Sequence, residues 1–564
     1  MSSLDWIVLV GTLLFIVVYG VWKTRGSRDI NDYLRGNSEL KWWTIGLSIM
    51  ATQASAITFL STPGQAYIDG MRFLQFYLGL PIAMVILCVT FIPLYYKLKV
   101  YTAYEFLESR FDLKTRTLAA VLFLIQRGLA AGITIYAPAI ILSTLLGWNL
   151  TYTILVIGSL VIIYTVSGGT RAVSVTQKQQ MVVIMGGMFA AFFMLISFLP
   201  EYLSFGDALK VAGKMGKLET IDFGFDFKDR YNFWSGITGG LFLALSYFGT
   251  DQSQVSRYIS GQSMRESRLG LIFNGLLKIP MQFFILLVGV MVFVFYQFNQ
   301  PPVFFNQVEK NALYQTEYRQ DLERLDEQYD AIFIEKKQHV DNLVTAIQRN
   351  DEAAITLQQA KIETAQAEVL TIRESVKDLI HKNNADAELN DKDYVFLTFV
   401  LNYLPHGLIG LLLAVIFSAA MSSTSSELNA LASTTTIDLY KRSLKQDGTD
   451  AHYLFASKAW TVFWGILAIL FASYAHLFDN LIQLVNWLGS IFYGTILGIF
   501  IAAFYVKYIK ADAVFYAALI AQSIVLTLNF TTNIGFLWFN VIGCLLVIFF
   551  GILLQLFLGK PANT

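Results

Sequence analysis

Thiols and imidazoles are scarce in this sequence. Only two cysteines occur, Cys88 and Cys544, each inside an apolar run, so they read as buried thiols and not as a disulfide or metal framework. The five histidines fall at no metal-ligand spacing. There is no Gly-x-Ser-x-Gly elbow and no phosphate-cradling Gly-rich loop. An ATP-driven pump or a hydrolase therefore has no visible equipment, and the chain does not read as an enzyme. Net charge is lacking too. The 41 basic side chains balance 41 acidic ones, which gives no case for a nucleic-acid partner. The first apolar run, Trp6 to Trp22, has no basic segment before it and no small-residue cleavage site after it. It is expected to stay as a membrane helix.

What is abundant is apolar length. Of 564 residues 55% are hydrophobic. Runs of spanning length fall near 5–22, 43–64, 74–96, 118–146, 150–166, 180–200, 233–250, 270–296, 396–425, 456–475, 481–505, 512–530 and 534–558. The reading is an all-α polytopic membrane protein with about thirteen transmembrane helices. Basic residues cluster on alternate connections, among them Lys23, Arg25, Arg28, Arg35 and Lys41, and later Lys441, Arg442 and Lys445. That bias places the chain in the inner (plasma) membrane with the N-terminus outside and the C-terminus in the cytoplasm.

The chain divides into an N-terminal helix with a cytoplasmic loop (1–42), a first repeat with the start of a second (43–296), a charged insertion (297–395), the remainder of the second repeat (396–511) and C-terminal helices (512–564). The insertion is a different material. Leu322, Leu325, Tyr329 and Ile332 recur at coiled-coil spacing, as do Ile355, Ile362, Ala365, Val369, Ile372, Val376 and Leu379. Arg349-Asn350-Asp351 between the two runs turns the chain back. A helical hairpin outside the membrane follows, either a passive stalk or a surface for a protein partner or self-association through 310–385. The second and seventh apolar runs each carry a polar interruption, and five helices follow from each, the pattern of inverted repeats with broken helices at the midplane.

Chemistry concentrates in a few places. Ala419, Ser422, Ser423 and Ser426 share one face of an otherwise apolar helix. Such a face serves either tight packing or a sodium ion, which suits hydroxyl and carbonyl oxygens. The second helix is rich in small and polar residues from Ser48 to Thr62, and unwinding there frees carbonyls such as those of Ala51 and Ala54. Arg127 lies well inside the fourth span and suits an anionic solute, or else a structural pair, for which Glu427 is the nearest acid. Lys278 is a similar candidate, unless it snorkels. Tyr77, Tyr136 and Tyr247 are intramembrane aromatics with polar tips.

Several motifs together resemble the sodium/solute symporter family. They are Trp42-Trp43 with Gly46-Leu47-Ser48, the run Tyr101-Thr102-Ala103-Tyr104-Glu105, Tyr164-Thr165-Val166-Ser167-Gly168-Gly169-Thr170-Arg171, Asp251-Gln252-Ser253-Gln254, and the Ser422 segment ending Thr436-Ile437-Asp438. Ile135-Tyr136-Ala137-Pro138 looks most like the iodide, multivitamin and monocarboxylate branch, and the chain looks like a bacterial member of the family. The resemblance implies a LeuT-type 5+5 inverted-repeat core, Na+ as the coupling ion with no organic cofactor, and alternating access. It puts the shared sodium site on Ala51, Ala54, Ala419, Ser422 and Ser423. A second sodium, present in some members, maps onto Ser425, Ser426 and Gln177. Gln177 stands where those members have an Asp, and Lys178 beside it opposes a cation, so one sodium per cycle is expected. Solute contacts are expected from Gln53, Ser55, Thr58, Tyr77, Arg127, Tyr247 and Lys278. Sugar-transporting members use a Gln and a Glu where Thr58 and Tyr77 stand, although Lys278 resembles a sugar-contacting Lys. The expected function is sodium-coupled import of a small organic, anionic solute. Alternatives are a sugar or sialic acid as solute, and a solute sensor signalling through the hairpin.

Overall fold

The apolar runs become helices that pack side by side, because a backbone in lipid must satisfy its own hydrogen bonds. The computed structural model describes residues 1–24, 40–98, 100, 102–385, 387–474 and 481–558. Arg25, Arg28, Arg35 and Tyr101 lie outside them. So do the side chains of Lys23, Tyr164, Ser167 to Arg171 and Lys178. Among the described residues the chain is helical, with one isolated bridge between Leu40 and Gly261.

In chain order the helices are α1 (Ser3–Thr24), α2 (Trp42–Gln53), α3 (Ala56–Asp69), α4 (Leu80–Val89), α5 (Phe91–Leu98), α6 (Glu105–Arg110), α7 (Leu113–Leu146), α8 (Leu150–Ser197) and α9 (Phe205–Lys214). There follow α10 (Gly240–Thr250), α11 (Gln252–Ile259), α12 (Met264–Phe298), α13 (Gln307–Leu313), α14 (Arg319–Arg349), α15 (Glu352–Asn383) and α16 (Val395–Tyr403). The last are α17 (Leu408–Thr434), α18 (Asp450–Ala472), α19 (Leu481–Tyr505), α20 (Ala511–Thr531) and α21 (Leu537–Leu558).

Among the described residues nine helical stretches are long and apolar enough to cross a membrane. Several of the expected runs merge or are interrupted. The expected spans 43–64 and 74–96 are counted once, as Ala56–Leu98, which starts at α3 and leaves α2 outside it, and the expected span 233–250 holds the 11-residue α10, which is too short to count. The expected spans 150–166 and 180–200 run together as the 48-residue α8, which carries apolar portions at Leu150–Ile163 and Gln179–Ser197. The expected span 396–425 is divided after Tyr403, where Pro405 and Gly407 (φ +89°) end one helix and start α17.

α14 and α15 form a hairpin about 46 Å long at 1.5 Å per residue. Asn350 makes its turn in the left-handed conformation (φ 54°), and Asp351 caps α15 by accepting from the Ala354 amide at 3.0 Å. The hairpin lies down on the bundle. Leu322, Tyr329, Val369 and Val376 pack with Val303 and Phe304 in a cluster of their own. Towards the tip, Val340, Leu343, Ile347 and Ile355 join the main core. The tip is fastened to α9, where Lys214 meets Glu352 at 3.1 Å, and to Tyr202, whose hydroxyl donates to Asp341 at 2.6 Å.

The root of the hairpin is fastened as well. Arg373 holds both oxygens of Asp391 at 2.7 Å, and Asp391 accepts from the Phe305 amide at 2.7 Å. The buried Glu388 accepts from Tyr136 and Tyr394 hydroxyls, both at 3.0 Å. The root touches α3 backbone to backbone: a Cβ on Gly64 would lie 2.0 Å from the Lys392 carbonyl oxygen. At the other end of α17, Asp438 accepts from Thr102 and from Arg116 Nε, each at 2.8 Å, and Arg116 also reaches Glu108 at 2.8 Å. Two of the motif segments are thereby clasped together.

Candidate functional site

Two helix interruptions build the centre. α2 ends at Gln53, Ala54 leaves the helical conformation (φ −87°, ψ 70°), Ser55 is extended, and α3 starts at Ala56. Small and hydroxylated residues make that break affordable, and it releases carbonyls of the last turn of α2 from the helical ladder. In the second interruption Asp251 (φ −79°, ψ 118°) separates α10 from α11 and caps α11 through the Ser253 amide at 2.9 Å. α17 packs against α2, α3, α7 and α11.

A cavity of about 80 Å³ lies between these elements and is lined by Gln53, Ser55, Thr58, Tyr77, Arg127 and Tyr247. Six of the seven expected solute contacts thus converge. At ~10–15 Å³ per water the space holds only a handful of waters. Lys278 is not in the lining. It is buried beneath Tyr77, with Nζ 5.6 Å from the ring centre and no hydrogen-bond partner among the described residues.

Arg127 is held by acids. Its Nη1 donates to Glu427 at 3.0 Å, and its Nη2 donates to Asp251 and to the Tyr493 hydroxyl, the latter at 2.6 Å. Tyr493 in turn donates to Asp251 at 2.9 Å, and Thr134 donates to the second Glu427 oxygen at 2.9 Å. The guanidinium also lies 5.4 Å from the Tyr247 ring. Both terminal nitrogens are therefore engaged, and the Glu427 pairing is the structural alternative drawn from the sequence. Asp251, Tyr493 and Thr134 are additions. A carboxylate at an interruption of an apolar helix was the signal for Asp251.

The five residues of the first sodium set are all buried: Ala51 2%, Ala54 0%, Ala419 1%, Ser422 2% and Ser423 1% exposed. Ser423 donates to the Ala419 carbonyl at 2.8 Å. The Ser422 hydroxyl has no hydrogen-bond partner among the described residues. The second set is arranged differently. Gln177 turns its oxygen to Ser48, which donates at 2.5 Å, and its amide nitrogen to Thr52 at 3.0 Å and to Ser426 at 3.2 Å. Arg257 also donates to Ser426, at 2.5 Å. An amide N–H and a guanidinium face the oxygen a second cation needs, while the Ser425 hydroxyl has no partner among the described residues.

This is a bundle in which two broken helices face a small polar cavity, the architecture of a transport protein. The family model for the sodium:solute symporter family matches residues 33–310 and 376–521, and the chain belongs to that family. The unmatched interval between those segments covers most of the α14–α15 hairpin. Over 567 residues the chain is 25% identical to the sodium/sialic acid symporter SiaT of Proteus mirabilis, covering 97% of this chain and 94% of that protein. It is 32% identical over 292 residues to the sodium/iodide cotransporter of Homo sapiens, spanning 50% of this chain and 44% of that protein. It is 33% identical over 273 residues to sodium-coupled monocarboxylate transporter 1 of Homo sapiens, spanning 48% of this chain and 44% of that protein. The chain thus matches less than half the length of these two. The substrate-bound, outward-open structure of a Na+-coupled sialic acid symporter matches 100% of this chain and 99% of its own, with a TM-score of 0.75 at 23% identity. That likeness shows the fold, a LeuT-type core.

Proposed function

We propose that this chain is a sodium-coupled symporter that imports a small organic solute by alternating access. The carrying observation is the Ser422 hydroxyl. It is a buried oxygen without a hydrogen-bond partner among the described residues, on the small-residue face of α17 that packs against the broken α2/α3 helix. A buried hydroxyl left unpaired is costly, and a sodium ion held with Ala51, Ala54, Ala419 and Ser423 relieves that cost. The ion then pins α17 to the helix break and favours the arrangement that receives solute. The family and the sodium-coupled relatives support the same reading. One sodium at about 100 mV brings ~2.3 kcal/mol, which is roughly fifty-fold accumulation of a neutral solute. The chain sits in the inner membrane with its N-terminus outside and the hairpin on that side.

The solute is an organic anion received by Ser55, Thr58, Gln53 and Tyr77, with Lys278 supplying positive charge from beneath the Tyr77 ring. A neutral polar solute is the second reading. It is favoured by Arg127, whose terminal nitrogens are already taken by Glu427 and Asp251. Uptake into proteoliposomes with an imposed sodium gradient tests both, using sialic acid, short monocarboxylates, pantothenate and glucose. Sodium-dependent accumulation of one anion that is lost in Lys278→Met supports the first reading. Accumulation of glucose alone supports the second. Sodium-independent uptake in a protein that also shows no sodium-dependent stabilisation overturns the symporter.

A further inference from the structure

Between the hairpin and the bundle lies a larger cavity, of about 600 Å³, separate from the central site. That volume is in the range of small-molecule pockets, roughly 300–1,000 Å³. Its walls are largely apolar and aromatic, with Tyr67, Phe293, Tyr296 and Phe333 among them. Its charged groups are mostly cationic: Lys214, Lys217, Lys336 and Arg373 against Glu363. Lys214 and Arg373 are paired with Glu352 and Asp391. Lys217 and Lys336 have no ion-pair partner among the described residues. Lys336, 8% exposed, donates to the Gln366 amide oxygen at 2.7 Å. Lys217 donates to the Ile68 carbonyl and sits 4.8 Å from the Phe293 ring centre. These acceptors satisfy hydrogen bonds without forming an ion pair, although Asp69 acts on Lys217 from a distance. Burial and the neighbouring Lys217 hold the Lys336 ammonium down at about 8.

We infer that this cavity is a binding site for a small soluble organic anion with an aromatic or aliphatic body. Its carboxylate meets Lys336 and Lys217, and its apolar part lies among Tyr67, Phe293, Tyr296 and Phe333. Two partly desolvated cations lining an apolar chamber, one from the hairpin and one from the bundle, are unfavourable alone and complementary to one amphipathic anion. Tyr67 and Ile68 belong to α3, the outer half of the broken helix, and Lys336 belongs to the hairpin. An occupant therefore bridges the two.

The test is calorimetric titration of the full chain in nanodiscs of zwitterionic lipid. The probe is 2-naphthoate, compared with the neutral 2-naphthalenemethanol. Saturable naphthoate binding is expected, with the alcohol at least tenfold weaker. Lys336→Met and Lys217→Met each weaken naphthoate at least tenfold, while Lys336→Arg retains it. Sodium-dependent thermal stabilisation, a property of the central site, stays unchanged in these variants and shows that they fold. Equal binding of acid and alcohol overturns the inference. So does naphthoate binding that is indifferent to Lys336→Met, which places the probe in the central site. An anionic phospholipid retained by the wild type and lost in Lys336→Met overturns the soluble anion in favour of a lipid headgroup.

Discussion

Arg127 and Glu427 are separated by 300 positions in the chain and meet at 3.0 Å, with Asp251 on the other side of the same guanidinium. Three elements, α7, α17 and the α10/α11 interruption, are joined at one charged group. Removing one member leaves the others buried and unpaired. Arg127→Ala is expected to destabilise the protein by about 3–5 kcal/mol. Combining Arg127→Met with Glu427→Gln and Asp251→Asn recovers most of that loss. Thermal denaturation in detergent reads both. A stable Arg127→Ala protein that has lost only solute binding would return Arg127 to the solute.

The sodium set predicts a stabilisation without solute. Sodium at 100 times its dissociation constant adds about 2.7 kcal/mol to the folded state. Ser422→Ala and Ser423→Ala each remove that increment while leaving the sodium-free melting temperature nearly unchanged. Sodium stabilisation that persists in both variants rules the set out.

Gln177 predicts stoichiometry. Uptake against sodium concentration should follow a Hill coefficient near one. Gln177→Asp should not raise it, because Arg257, 2.5 Å from Ser426, supplies the positive charge for a new carboxylate. A coefficient near two in Gln177→Asp would show that the carboxylate had been the only missing ligand.

Periodicity made the helices and the hairpin legible, since buried Leu322, Tyr329, Ile362 and Val369 follow the spacing of the sequence. The convergence of Gln53, Ser55, Thr58, Tyr77, Arg127 and Tyr247 on one cavity was legible through the family resemblance. Asp251 was quoted within a motif, but its pairing was hidden because Arg127 lies 124 positions away. The donor orientation of Gln177 was equally hidden. An amide offers both an oxygen and an N–H, and only its neighbours Ser48, Thr52 and Ser426 decide which faces the site. The splitting of 396–425 was readable from Pro405, yet apolar composition dominated that stretch.

The hairpin root predicts a pH dependence. Burial and the neighbouring Asp393 push the Glu388 carboxyl up to about 8, and burial raises Asp393 to about 6. Unfolded carboxyls titrate near ~4, so the docked root binds more protons than the undocked one between there and pH 8. Its stability is full below about pH 4 and falls as pH rises through 8. Hydrogen exchange of 387–394 should accelerate from pH 5 to 8.5 beyond the intrinsic rate, and Glu388→Gln should flatten that dependence.

Gly64 sets the distance between α3 and the root. Gly64→Ala places a Cβ against the Lys392 carbonyl and is expected to cost about 1–3 kcal/mol. The readout is faster exchange in 387–394. Unchanged exchange would mean that α3 yields without moving the root.

A rigid rod fixed at one end is a pointer, but one fixed at both ends is a brace. The hairpin is tied at its root to α3 and at its tip to α9, through Gly64–Lys392 contact and the Lys214–Glu352 pair. Swinging the outer half of the broken helix by about 5° would carry a 46 Å arm through roughly 4 Å at its far end. That displacement exceeds the reach of the tip's ion pair. A swing of α3 relative to α9 would therefore strain both fastenings of the hairpin at once, so the brace would resist it.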